Sequence, residues 1–386
     1  MRRTRGLSFL FAWIVIGWCL RQAGLGWAQP GPGLADCSRA AGSDAGQKIQ
    51  ACLDALPSGG IADARGLVGQ QSIHQPVRLS HPGTVLMIAP RTTFTFADGA
   101  TLDISTSDVH IEGAGATSVF RLGNGSAVRI GSHQQPVWGW SLEVLAIEPA
   151  SGKHPAAGLL LNNAREGILR EVSVSGFPGA AIDVGDNCWS NRSIDTKVVK
   201  NDIGYNFHGD QLNAWNIRGG MINVNRIGLN FELAKGLLQG FSITDGVQME
   251  GNSETAVRLA SGEMRGIFLS NIYSELFHSQ RLIKCDPTGD LKILLLSVTD
   301  SYIYSQDTSP ISISTRSQDI ASVTITNVIL RHSQRDLPIA EASGLNSSVV
   351  LSDSHSYSGE GFVSKSPILS TGGAHTTAIR TDIPGR

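Results

Sequence analysis

The chain has 386 residues, of which 41% are hydrophobic and 17% charged, with 44 glycines and a formal net charge of −2. That balance offers no basic surface for nucleic acid, and no apolar stretch reaches the roughly 20 residues that a membrane-spanning helix needs. Abundant glycine with modest charge suits a body of short strands and turns.

The first element is a leader. Arg2, Arg3 and Arg5 precede an apolar run from Leu7 to Leu20, and Gly26-Trp27-Ala28 supplies small residues at the two positions that signal peptidase reads. Residues 1–28 are therefore expected to be a signal peptide, and the protein to be secreted or periplasmic. Cleavage after Ala28 leaves 27 basic against 33 acidic residues, a net charge of −6. Nucleic acid is then an unsuitable partner, and no membrane association is expected after processing. The sequence carries no signal for oligomeric state.

Residues 29–84 are expected to form an N-terminal cap with a helix and the first strands. Asp44 can cap a first turn with Gln47 three residues on, Ile49, Leu53 and Leu56 share one face, and Pro57 with Gly59-Gly60 ends the helix. Cys37 and Cys52 lie 15 residues apart in this region and are expected to be bridged in an oxidising compartment. Cys188 and Cys285 should stay free, because about four coils of ~4.8 Å each would separate them. No Cys/His spacing suits a zinc site.

Residues 85–352 repeat. Asn201-Asp202-Ile203-Gly204-Tyr205-Asn206-Phe207 returns 24 residues later as Asn225-Arg226-Ile227-Gly228-Leu229-Asn230-Phe231. Extending that register gives one apolar column, Leu159, Ile182, Tyr205, Leu229, Val257, Ile283 and Ile311. A second follows two residues on, Leu161, Val184, Phe207, Phe231, Leu259, Cys285 and Ile313. Residues i and i+2 of a strand share a face, so both columns point inward and the residues between them point outward. A second strand family, Ile243-Thr244-Asp245, Leu269-Ser270-Asn271, Val298-Thr299-Asp300 and Ile325-Thr326-Asn327, keeps the same period and ends each time at a turn. A period in the twenties without intervening helices marks a β-solenoid, here of roughly eight coils. The segment 353–386, rich in Ser, Gly and Thr, reads as a tail and a candidate for disorder.

Five segments carry a family resemblance: Ala45 to Gly60, then Gly113-Ala114-Gly115-Ala116-Thr117, and later Gly219-Gly220, Asn225-Arg226-Ile227-Gly228 and Tyr273-Ser274-Glu275. They resemble the opening and the coil motifs of the pectate-lyase-like right-handed parallel β-helix superfamily, which includes polysaccharide lyases, glycoside hydrolases and tailspike depolymerases. The resemblance implies an all-β, single-stranded right-handed parallel β-helix with a short N-terminal capping helix, and polysaccharide as partner. Phe207-His208-Gly209-Asp210 and Arg281-Leu282-Ile283-Lys284 only partly echo polygalacturonase motifs, so that group's catalytic roles are not carried over.

Two outward columns stack ionisable groups. One holds Asp183, Asn206, Asn230, Arg258, Lys284 and Ser312, with His208 and Glu232 two positions after the Asn residues. His208 and Glu232 are expected to face each other as an acid/base pair, and Arg258 with Lys284 to hold a substrate carboxylate, although outward strand positions are polar in any solenoid. The other column runs Asn201, Asn225, Glu250 and Glu275. The asparagines suit a structural hydrogen-bond ladder, whereas Glu250 and Glu275 one rung apart suit the carboxylate pair of a retaining glycosidase. Asp183, Asp186, Asp202 and Asp210 are the carboxylates that Ca²⁺ would use if this chain followed the pectate lyases, but no cofactor or metal is expected. Trp138, Trp140, Trp189 and Trp215 are candidates for stacking on sugar rings or for burial under loops. The expected function is cleavage or modification of a polysaccharide, with carboxylate-catalysed glycosidic hydrolysis ahead of β-elimination and of a non-catalytic carbohydrate-binding or structural solenoid.

Overall fold

The computed structural model describes residues 33–332, 337–358 and 368–379, so the leader lies outside the described residues. It is an all-β parallel solenoid of right-handed type with about 13 turns, more than the eight coils expected. The coils build three long ladders, a short fourth ladder runs through Val137–Trp138, Ala164–Arg165, Cys188–Trp189 and Gln211–Asn213, and every pairing between named strands is parallel.

Helix α1, Ala45–Asp54, begins where Asp44 Oδ1 accepts the Gln47 amide at 2.8 Å and Gln47 Oε1 accepts the Ser43 amide at 2.9 Å. These contacts satisfy amides that a helix start leaves without partners. Its inner residues Ile49, Cys52 and Leu53 are buried, and Cys52 is bonded to Cys37 with Cα atoms 5.1 Å apart. Cys188 and Cys285 are free and buried, and burial pushes both thiols up to about 12.

The first ladder contains the repeat. Leu159, Ile182, Tyr205, Leu229, Val257, Ile283 and Ile311 are successive partners in register, as are Leu161, Val184, Phe207, Phe231, Leu259 and Cys285. All of these side chains are buried. Phe207 and Phe231 stack at 4.9 Å with Phe241 edge-on to both, so the interior at these rungs is an aromatic column. The second ladder pairs Ile217, Ile243, Leu269, Val298, Ile325 and Leu351 in sequence. Its strands end at Asp245, Asn271, Asp300, Asn327 and Asp353, all with φ between 47° and 64°, a left-handed turn conformation that Asp and Asn tolerate well.

The asparagine ladder differs from expectation in one member. Asn201 Nδ2 donates to Asn225 Oδ1 at 2.9 Å, and Asn225 Nδ2 donates to Asn252 Oδ1 at 3.1 Å, with all three buried. The column therefore continues to Asn252, two residues beyond Glu250, because the coil between Asn225 and Asn252 is 27 residues long rather than 24. The ladders also continue past Ser352, through strands His355–Ser358, Ile368–Thr371 and His375–Ile379.

Candidate functional site

On the first ladder the outward column is Asp183, Asn206, Asn230, Arg258, Lys284 and Ser312, each in register with the next. Its side chains bond to one another along the axis. Asn206 Nδ2 donates to Asp183 Oδ1 at 2.7 Å, Asn230 Nδ2 to Asn206 Oδ1 at 2.9 Å, and Arg258 Nη1 to Asn230 Oδ1 at 3.3 Å. The outward parity expected of Asn206, Asn230 and Arg258 holds, but Asn230 is only 2% exposed because its neighbours on the ladder cover it.

His208 and Glu232 do not form the expected pair. His208 Nε2 lies 3.1 Å from Asp183 Oδ2 on the preceding rung, and that hydrogen bond raises the imidazole pKa against the opposing effect of burial. A register shift between Phe231 and Glu232 carries Glu232 away, so that it meets Arg258 at 3.4 Å and accepts from Thr288 at 3.2 Å. Nor are Arg258 and Lys284 open to a substrate carboxylate. Arg258 also lies 3.7 Å from Asp286, and Lys284 lies 3.4 Å from both Glu254 and Asp286. This column is a neutralised hydrogen-bonded ladder in which each cation already has acidic partners.

Glu250 and Glu275 are brought together. The bridges of Gln248 to Met221 and to Tyr273 set the third ladder's register, and two residues on, Asn223, Glu250 and Glu275 occupy consecutive rungs. The inward neighbours Met249 and Leu276 are buried, while the two carboxylates are half-buried on the outer side. Asn223 Oδ1 accepts the Glu250 amide at 2.9 Å, which fixes the backbone at the first carboxylate. Burial and then the charge of Glu275 hold the Glu250 carboxyl above its ordinary value. The Tyr273 hydroxyl donates to Glu275 Oε1, and this hydrogen bond pushes the phenol up to about 12. Among the described residues neither glutamate has an ion-pair partner.

Sequence reading missed the aromatic side of this site. Tyr273 stacks on Tyr302 with centroids 5.5 Å apart, and Phe277, 42% exposed, packs at 6.2 Å against Tyr304, the rung neighbour of Glu275. The signal was available, since Tyr273 and Glu275 are i and i+2 of one strand and must share a face. The tryptophans divide. Trp140 and Trp215 are core, whereas Arg165 is sandwiched between Trp138 at 4.8 Å and Trp189 at 3.9 Å. The four aspartates do not converge. Asp186 faces His133 at 3.3 Å, Asp202 faces Arg226 at 2.7 Å, and among the described residues no group of three or more His, Cys, Asp or Glu side chains could hold a metal.

Solved structures share this architecture. The mannuronan C-5 epimerase AlgE4 A-module of Azotobacter vinelandii aligns over 89% of this chain and 94% of its own, with 14% identity and a TM-score of 0.52. The Agl-KA catalytic domain aligns over 91% of this chain and 69% of its own, with 12% identity and a TM-score of 0.56. PfbA, a surface adhesin of Streptococcus pneumoniae, aligns over 91% and 96%, with 11% identity and a TM-score of 0.51. What the chain shares with them is the parallel β-helix fold. No protein-family model matches the chain, and no curated protein does. At these identities the likeness concerns the β-helix fold alone, which hosts an epimerase and an adhesin equally well, so chemistry has to be argued from side chains.

Proposed function

We propose that this β-helix protein acts on a polysaccharide by glycosidic hydrolysis, with Glu250 as the acid and Glu275 as the nucleophile. The observation that carries the reading is a pair of unneutralised carboxylates on adjacent rungs, one held above its ordinary pKa by burial and by the other, beside stacked tyrosines. Backbone rungs lie about 4.8 Å apart, and retaining glycosidases place their carboxyl groups about 5 to 5.5 Å apart. In the first step Glu250 transfers its proton to the glycosidic oxygen while a Glu275 oxygen bonds to the anomeric carbon, and the C–O bond to the leaving sugar breaks. Water then attacks the glycosyl ester, Glu250 takes its proton, and the Glu275 carboxylate is released. Tyr273 orients Glu275 through its hydroxyl, and the aromatic surface of Tyr302, Tyr304 and Phe277 suits the apolar faces of sugar rings. Polysaccharide as the substrate class agrees with the mannuronan acted on by the similarly folded epimerase. The Cys37–Cys52 bridge supports an oxidising compartment, and with it the exported location read from the leader.

A panel of polysaccharides incubated with the full chain tests this. New reducing ends that disappear in both Glu250→Gln and Glu275→Gln, with folding retained, support the reading, because the amide neither donates the proton nor attacks carbon. Reducing ends accompanied by an unsaturated, ultraviolet-absorbing product point to β-elimination instead. Binding without any product favours a carbohydrate-binding solenoid.

A further inference from the structure

A second charged site lies on the first ladder, roughly 24 Å along the axis from Glu250 if each of five rungs adds about 4.8 Å. Arg78, Asp103 and Arg129 are register partners on three consecutive rungs, and with Ser132, Gln134 and Gln135 they line a cleft of about 520 Å³. That size falls within the range of small-ligand pockets.

Three observations set this cleft apart. Both arginines are exposed, and among the described residues neither guanidinium has a carboxylate partner, whereas Arg258 and Lys284 farther along the same column are neutralised. Asp103 sits between them, yet its Oδ1 is buried and bonds to nothing among the described residues, a state that folded proteins generally avoid. The wall of the cleft is also built rather than loose. Ser132 Oγ accepts the Gln134 and Gln135 amides at 3.3 and 3.1 Å, and Asn163 Nδ2 donates to the Ser132 carbonyl at 2.8 Å.

We propose that this cleft binds an acidic sugar unit of the polysaccharide. Its anionic group lies between Arg78 and Arg129, a ring hydroxyl donates to the Asp103 carboxylate, and the side-chain amides of Gln134 and Gln135 bond further hydroxyls. A bare anion does not fit as well, because it brings no sugar hydroxyl to donate to the Asp103 carboxylate. A sugar acid supplies the anion and the donors together. A uronate carboxylate and a sulfate ester share this chemistry. The proposal rests on the polysaccharide reading for its class of ligand and is independent of the Glu250 and Glu275 chemistry.

Calorimetric titration of the full chain carrying Glu250→Gln tests the cleft without requiring turnover. The probes are a uronic acid trisaccharide, its methyl ester, a sulfated neutral trisaccharide and inorganic phosphate. The acidic trisaccharide is expected to bind at least tenfold more tightly than the ester, and Arg78→Ala and Arg129→Ala each to weaken it at least fivefold at unchanged melting temperature. The tighter of the uronate and the sulfate ester identifies the anionic group. Equal binding of acid and ester, phosphate binding as tight as the trisaccharide, no binding of any sugar, or unchanged affinity in both arginine variants overturns the proposal. Those outcomes leave the Gln variants' loss of turnover standing, and retained turnover in Glu250→Gln leaves the cleft standing, so the two readings fail separately.

Discussion

Glu250 is where residue chemistry and stability conflict. Its carboxyl is held above the ordinary value of 4.5 by burial and by Glu275, so the folded chain binds that proton more tightly than the unfolded chain. Stability associated with this group is present below the unfolded value and is lost as pH rises through the folded one. Glu250→Gln removes the titration. Its melting temperature relative to the wild type should therefore rise as pH climbs through that window and stay raised at pH 7, while turnover is lost. A difference that does not change with pH means that Glu275 and burial do not act on Glu250 as described. His208 has the same sign. Its pKa is raised by Asp183, so its contribution is complete below the ordinary value of 6.5 and fades as pH rises through the folded value.

At the scale of the element, each coil is held to the next by two kinds of ladder, apolar inside and amide at the turns. Asn225 shows the amide kind. It accepts from the Asn201 backbone at 3.0 Å and side chain at 2.9 Å, and donates to the Val198 carbonyl and to Asn252 Oδ1, both at 3.1 Å. Asn225→Ala strands the buried Asn201 amide and the Val198 carbonyl. At about 1 to 3 kcal/mol for each unsatisfied group, the change should cost roughly 2 to 6 kcal/mol in urea unfolding, and a loss under ~0.5 kcal/mol means the ladder is not structural. The repeat in the sequence revealed that Asn201 and Asn225 stack, but steps of 24 and then 25 residues pointed past them to Glu250. Only the pairing of strands shows that the next coil is longer and that Asn252 takes the place. The same extrapolation nevertheless put Glu250 and Glu275 in step with each other, because both occupy the same outward register on the third ladder.

For the whole molecule, stability in a solenoid is a chain of nearest-neighbour terms, so a local lesion should stay local. Bonded cysteines 15 residues apart tie strand Leu34–Asp36 and helix α1 to the first coils. A Cys37→Ser, Cys52→Ser double variant should lose about 3 kcal/mol there by loop closure. Amide hydrogen exchange is expected to quicken across Leu34–Asp63 while the strands from Ala180 to Phe207 keep their protection. Uniform quickening along the whole chain would show instead that the coils unfold as one unit.

The sequence by itself determined the coil period, the inward columns, the helix start at Asp44 and the parity of the outward residues, because each follows from spacing along the chain. It understated the number of turns, since the coil from Val128 to its partner Leu159 spans 31 residues and broke the repeat there. Ser132, Gln134 and Gln135, which lie in that longer coil, form the wall of the cleft. Only the tertiary structure decided which side chains meet across rungs. The shift after Phe231 sends Glu232 to Arg258 and leaves His208 to Asp183, and register alone places Asp103 between two unpaired arginines. Contacts between coils join residues two dozen or more positions apart, and a one-residue slip changes every one of them without disturbing the pattern within any strand.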